Sequence, residues 1–143
     1  MMTTRPVFDD PARRELANDV ANGFAAALQG AGGADDYDAE FAADVLWGSP
    51  FGASVRGWDE LNAIHHRLTE AKVAPPSRFE VVAAFSPSPG VVVTQIRRQA
   101  TESAGFSEMA LYVLAERGGR WWLTAAQNTP VGVSPLDRSE TER

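Results

Sequence analysis

The chain has 143 residues, 44% of them hydrophobic and 22% charged, the proportions of an ordinary globular domain long enough to bury a core. Lys and Arg number 13 against 19 Asp and Glu, a formal net charge of −6, which argues against nucleic acid or an anionic membrane as partner because both require broad basic surfaces. There is no cysteine, so disulfides, thiolate nucleophiles and cysteine-ligated metals are excluded.

The opening stretch, Met1 to Asp10, lacks the apolar core of a signal peptide, and no window reaches the length of a membrane span. The expected compartment is therefore the cytoplasm. The first start signal is Asp9-Asp10-Pro11, where an aspartate caps a helix and proline takes its first turn. Leu16, Val20, Phe24, Ala27 and Leu28 then recur at helical spacing and predict one buried face, ended by Gly30, Gly32 and Gly33. A short second helix is expected from Tyr37 to Ala43 with Phe41 inward. Two short strands, Val45–Trp47 and Ala53–Arg56, flank the turn-forming run Gly48-Ser49-Pro50-Phe51-Gly52. A third helix from Trp58 to about Thr69 carries Trp58, Leu61, Ile64 and Leu68 on one face, with Asp59 and Glu60 in its first turn.

After Pro75-Pro76 the composition shifts to β-branched and aromatic residues. Phe79–Phe85, Val91–Gln99, Phe106–Ala115 and Trp121–Thr129 read as four long strands, joined at Ser86-Pro87-Ser88-Pro89-Gly90 and Arg117-Gly118-Gly119 by hairpin turns. Helices first and a strand meander afterwards indicate an α+β fold rather than a doubly wound sheet. One domain is expected over 1–143, with its core at about 10–129 and mobile ends, including the polar tail after Pro130.

This element order and its landmark residues resemble the nuclear-transport-factor-2-like, or SnoaL-like, superfamily, and within it most closely the SgcJ/EcaC branch. The resemblance rests on Phe41-Ala42-Ala43-Asp44, Val55-Arg56-Gly57, His65 with Arg67-Leu68, Trp121, and Ala125-Ala126-Gln127-Asn128-Thr129, and it spans about Leu16 to Thr129. It implies a strongly bent antiparallel sheet wrapped around about three helices to form a cone with an internal pocket. It also implies a homodimer formed through the outer face of the sheet. Large residues on both parities of Phe106–Ala115 and Trp121–Thr129 agree with a sheet covered on both faces.

The fold carries no function by itself, so activity is argued from residues. Ketosteroid isomerase chemistry needs a carboxylate base, a tyrosine and a protonated acid. In the resemblance those places fall on Ser49, on or near Phe24, and near Leu111, none of which supplies the group, so that activity is rejected. His65 is the best catalytic candidate: at about 100° per residue it falls within the stripe of Trp58, Leu61 and Leu68, and imidazole serves as acid, base or hydrogen-bonding group near neutrality. A core histidine bonded to a backbone carbonyl is the plainer reading of the same position. His66 faces about 100° away, and two adjacent helical histidines do not converge on one ion, so no metal site is read.

Gln127 and Asn128 end the last strand with opposite facings, and the resemblance favours Asn128 as the inward one, a choice that a bulge would alter. Trp47, Trp58, Met109 and Trp122 are expected as apolar walls suited to a flat ligand. Of Arg97 and Arg98, one faces solvent or a partner and the other reaches the cavity mouth. No nucleotide fingerprint, P-loop, nucleophile elbow or zinc-protease helix occurs, and no cofactor is expected. Two readings result. One is a pocket protein for an apolar, polyketide-like small molecule, with a cofactor-independent cyclase, isomerase or hydratase activity if it is an enzyme. The alternative is a non-catalytic dimeric module whose cavity is filled by its own aromatic side chains.

Overall fold

The computed structural model describes residues 4–71, 77–101 and 107–132. Asp10 accepts the backbone N–H of Ala12 at 2.9 Å, and Pro11–Arg13 form a 3-10 turn that feeds helix α1, Arg14–Gln29. The buried face of α1 is Ala17, Ala21, Phe24, Ala25 and Leu28. It is rotated from the expected stripe: Leu16 is 45% exposed and Ala27 also faces water. The alanines at a spacing of four let the helix axis approach the sheet closely, which the larger Leu16 would prevent.

Helix α2 is a single turn, Ala34–Tyr37, rather than Tyr37–Ala43. The chain is already extended at Phe41, where strand β1, Phe41–Gly48, begins. The reason is tertiary: Phe41 pairs with Leu123 of the last strand and buries its ring, which outweighs the helix propensity of Ala42-Ala43. Strand β2, Ser54–Arg56, pairs antiparallel with β1. Gly57 then adopts φ +97°, a conformation open to glycine at little cost, and turns the chain into α3, Trp58–Ala71.

Strands β3, Ser77–Ser88, and β4, Val91–Ala100, form one hairpin; β5, Glu108–Arg117, and β6, Arg120–Pro130, form another. Gly118 and Gly119 both have positive φ, 64° and 77°, as a two-residue turn matched to the strand twist requires. The six strands lie in the order β2-β1-β6-β5-β4-β3. The sheet is mixed, not wholly antiparallel, because β1 runs parallel to β6. Register shifts between Val81 and Ala83 and between Val113 and Leu114 mark bulges that increase the local bend. Phe106, Pro75-Pro76 and most of the tail after Pro130 lie outside the described residues.

Alternation divides the sheet into two faces. Phe41, Val45, Trp47, Ile96, Ala110, Tyr112, Leu114, Leu123 and Ala126 point inward and make one cluster with Phe24 and Leu28 of α1 and Leu61 of α3. Leu46 and Leu111 point the other way and are 45% and 43% exposed. No helix among the described residues is long and apolar enough to cross a membrane.

Candidate functional site

His65 lies on α3 one turn after Leu61, a fully buried anchor, so the geometry of the helix carries its ring inward. Its Nδ1 stands 2.7 Å from Oδ1 of Asp38, and Asp38 is completely buried. Further hydrogen bonds fix Asp38. Asn62 Nδ2 donates to its Oδ2 at 3.1 Å, and its carbonyl accepts Trp58 Nε1–H at 2.9 Å and the Phe41 backbone N–H at 3.1 Å. An ionised carboxylate accepts only, so the neutral imidazole carries its hydrogen on Nδ1 and presents a lone pair at Nε2.

Three aromatic rings surround the imidazole edge-on: Trp47 at 5.3 Å between centroids, Tyr37 at 5.5 Å and Phe41 at 6.4 Å. The His65 side chain keeps 13% of its surface exposed. Beyond this wall the buried phenols of Tyr37 and Tyr112 lie near enough to influence each other. Burial pushes both phenols well above their ordinary range, so each stays protonated. Phe24 meets Tyr112 edge-on at 5.1 Å. Arg98 and Glu108, paired across β4 and β5, close the same inner face with a salt bridge at 3.1 Å, each side chain 14% exposed.

An outer pair repeats the inner one. His66 Nε2 is 2.8 Å from Oδ1 of Asp35, and Asn62 Nδ2 donates to that same oxygen at 3.1 Å. The hydrogen bond from His66 holds the Asp35 carboxyl below its usual range. Asn62 thereby ties Asp35 and Asp38 to α3. Among the described residues no cluster of three or more His, Asp or Glu gathers as a metal site would.

The expected site residues separate into two groups. His65, Trp47, Trp58 and Phe24 come together on the inside, although Trp58 spends its indole N–H on Asp38. Asn128 is buried, and its amide donates to the Gly48 carbonyl at 2.9 Å, fastening β6 to the end of β1. Ser49 accepts the N–H groups of Phe51 and Ala53 at 3.2 and 3.0 Å, so its hydroxyl braces the β1–β2 turn.

Met109, Leu111, Gln127 and Trp122 are not on the inside. Strand parity sends them to the outer face, because Glu108, Ala110, Tyr112 and Asn128 take the inner one. Trp122 there lies under the Arg120 guanidinium, 4.3 Å from its ring centroid. Arg97 also faces outward, and its buried Nε has no hydrogen-bond partner among the described residues.

Asp38, Tyr37, Tyr112 and Asn62 escaped sequence reasoning. Asp38 sits in the run Asp35-Asp36-Tyr37-Asp38, which reads as a solvated acidic turn. Only Tyr112 had a signal, since it shares parity with Ala110 and Leu114 in a strand where Leu111 does not.

Cavities are lined by described residues at two places away from His65. One, about 450 Å³, lies between α1 and the β5–β6 turn against Val20, Phe24, Glu40 and Trp121. The other, about 300 Å³, is an outer-face groove between Leu46, Leu111, Val113, Ala125 and the β1–β2 turn. Neither is lined by His65.

No family model matches this sequence, and no curated protein matches it. Solved structures do. An uncharacterized protein with a cystatin-like fold from Caulobacter vibrioides shares 18% identity over 87% of this chain and 95% of its own, with a TM-score of 0.67. A ketosteroid isomerase-like protein from Erwinia carotovora atroseptica shares 14% over 87% of this chain and all of its own, at 0.68. A hypothetical protein with a ketosteroid isomerase-like fold from Catenulispora acidiphila, in complex with trimethylamine, shares 16% over 78% of this chain and 85% of its own, at 0.55. Such identities speak for architecture and not for activity. The chain thus has the α+β fold shared by ketosteroid isomerase-like, nuclear-transport-factor-2-like and cystatin-like proteins.

Proposed function

We propose that the chain is a small-molecule pocket protein, with Nε2 of His65 as the polar contact for an apolar ligand seated against Trp47 and Tyr37. The observation that carries this reading is the Asp38–His65 pair at 2.7 Å: a fully buried carboxylate holds the ring, and no second partner engages it among the described residues. A carboxylate-oriented imidazole is the arrangement of a general base, so proton transfer is the chemistry the site is equipped for. Ketosteroid isomerase activity is not proposed, because the Ser49 hydroxyl is committed to its turn. The small ligand held by the Catenulispora protein supports binding as a use of this fold. The order of the sequence motifs supports kinship with the SgcJ/EcaC branch and a role in secondary metabolism. The test is native mass spectrometry of the gently purified protein beside its 15.4 kDa denatured mass. A bound mass retained by the wild type and lost in His65→Phe is expected; an empty wild type that also binds nothing from a panel of apolar compounds defeats the reading.

The second reading, a module filled by its own side chains, draws on a different observation. Phe24, Phe41, Trp47 and Tyr112 are each under 9% exposed and pack ring against ring, and neither cavity is lined by His65.

A homodimer through the outer sheet face belongs to both readings. It is supported by the exposed Leu46 and Leu111, the groove between them, and the orphaned Nε of Arg97 on that face.

A further inference from the structure

The direction of one hydrogen bond narrows the ligand class. Asp38 Oδ1 is 2.7 Å from Nδ1 of His65, while Oδ2 accepts from Asn62. As an ionised carboxylate Asp38 accepts at both oxygens, and among the described residues no other group offers a hydrogen to Nδ1. The neutral ring is therefore locked with Nδ1 as donor and Nε2 as acceptor. Trp47, Tyr37 and Phe41 meet the ring edge-on and bring no hydrogen-bonding group to Nε2 that the structure records.

From this we infer that the ligand presents a hydroxyl hydrogen to Nε2, and that the site, resting on the pocket reading above, selects an aryl or enolic alcohol over the ether or ketone of the same shape. A carbonyl or ether oxygen facing Nε2 sets one lone pair against another, and its burial leaves both acceptors unsatisfied. A phenolic O–H satisfies both atoms, and its flat ring matches the aromatic wall. Discrimination of this kind is strong when a site is built to bond a hydroxyl, because the analogue lacking it leaves the protein group unpaired.

The experiment compares 2-naphthol with 2-methoxynaphthalene by titration calorimetry at about pH 8, where a phenol-type hydroxyl keeps its hydrogen. The naphthol is expected to bind about tenfold more tightly in the wild type. His65→Phe, which keeps an aromatic ring and removes the acceptor, should bind both compounds alike. Asp38→Asn turns an amide N–H toward Nδ1, moves the ring hydrogen to Nε2, and should reduce or reverse the preference. Equal binding by the wild type overturns the inference and leaves the pocket reading standing. Binding of neither compound removes the inference, and the pocket reading then stands or falls on the native mass spectrum and the compound panel. A preference that survives in His65→Phe also overturns it, since the hydroxyl would then be held elsewhere. Should Asp38→Asn fail to fold, the wild type and His65→Phe decide the matter alone.

Discussion

Asp38 and His65 lie 27 residues apart, on either side of two strands, yet meet at 2.7 Å with the carboxylate fully buried. A buried charge of this kind is tolerated only when hydrogen bonds replace the water it has lost. Nδ1 of His65 and Nδ2 of Asn62 supply them, one to each carboxylate oxygen. The same contacts that orient the imidazole therefore also keep the α2 region docked on α3.

His65→Ala should then destabilise the fold as well as remove the pocket's polar contact. It orphans one oxygen of Asp38, a loss of about 1–3 kcal/mol. Urea unfolding followed by circular dichroism gives the number. A change below about 0.5 kcal/mol, the level of ordinary surface substitutions, would mean that Asp38 finds another donor.

Asn128→Ala and Gln127→Ala should differ although the residues are adjacent. Asn128 is 5% exposed and its amide holds the Gly48 carbonyl at 2.9 Å, so its loss should cost about 1 kcal/mol. Gln127 lies on the outer face, and its truncation should stay within about 0.5 kcal/mol in the monomer. Paired denaturant melts check the contrast, and equal effects would contradict the assigned facings.

Alkaline pH should destabilise the protein through Tyr37 and Tyr112. Burial raises both phenols above the ordinary value of 10.0, so the folded state holds protons that the unfolded chain releases. Stability is thus full below pH 10 and falls as pH rises past it, the sign expected when the native state binds more protons. Melting temperatures from about pH 8 to 11 should show this fall, reduced in a Tyr37→Phe, Tyr112→Phe double variant.

Light scattering should give a particle of twice 15.4 kDa. Leu111→Glu places a charge in the middle of the outer face and should yield monomers, because a buried unpaired carboxylate costs more than the contact returns. A wild-type monomer at micromolar concentration would remove the proposed dimer.

Much of the architecture was legible in the residues themselves. Asp10-Pro11 announced the start of the first helix, Gly118-Gly119 the tight hairpin, and period-two runs of valine and aromatic residues the long strands, because caps, turns and alternation are decided within a few residues. The ring of His65 could be directed inward for the same reason, since helical spacing is local. What local pattern cannot contain is which distant surfaces meet. Phe41 entered a strand instead of a helix because Leu123 pairs with it in the parallel β1–β6 ladder. Met109, Leu111 and Trp122 face outward because the registers of β4, β5 and β6 give the inner face to Glu108, Tyr112 and Leu123. Asp38 looks like a solvated acid in its own neighbourhood of acidic residues. Its burial, its hold on His65 and the resulting acceptor at Nε2 exist only once α3 is packed across it, and a hydrogen bond between residues so far apart in the chain is a property of packing, not of any stretch of sequence.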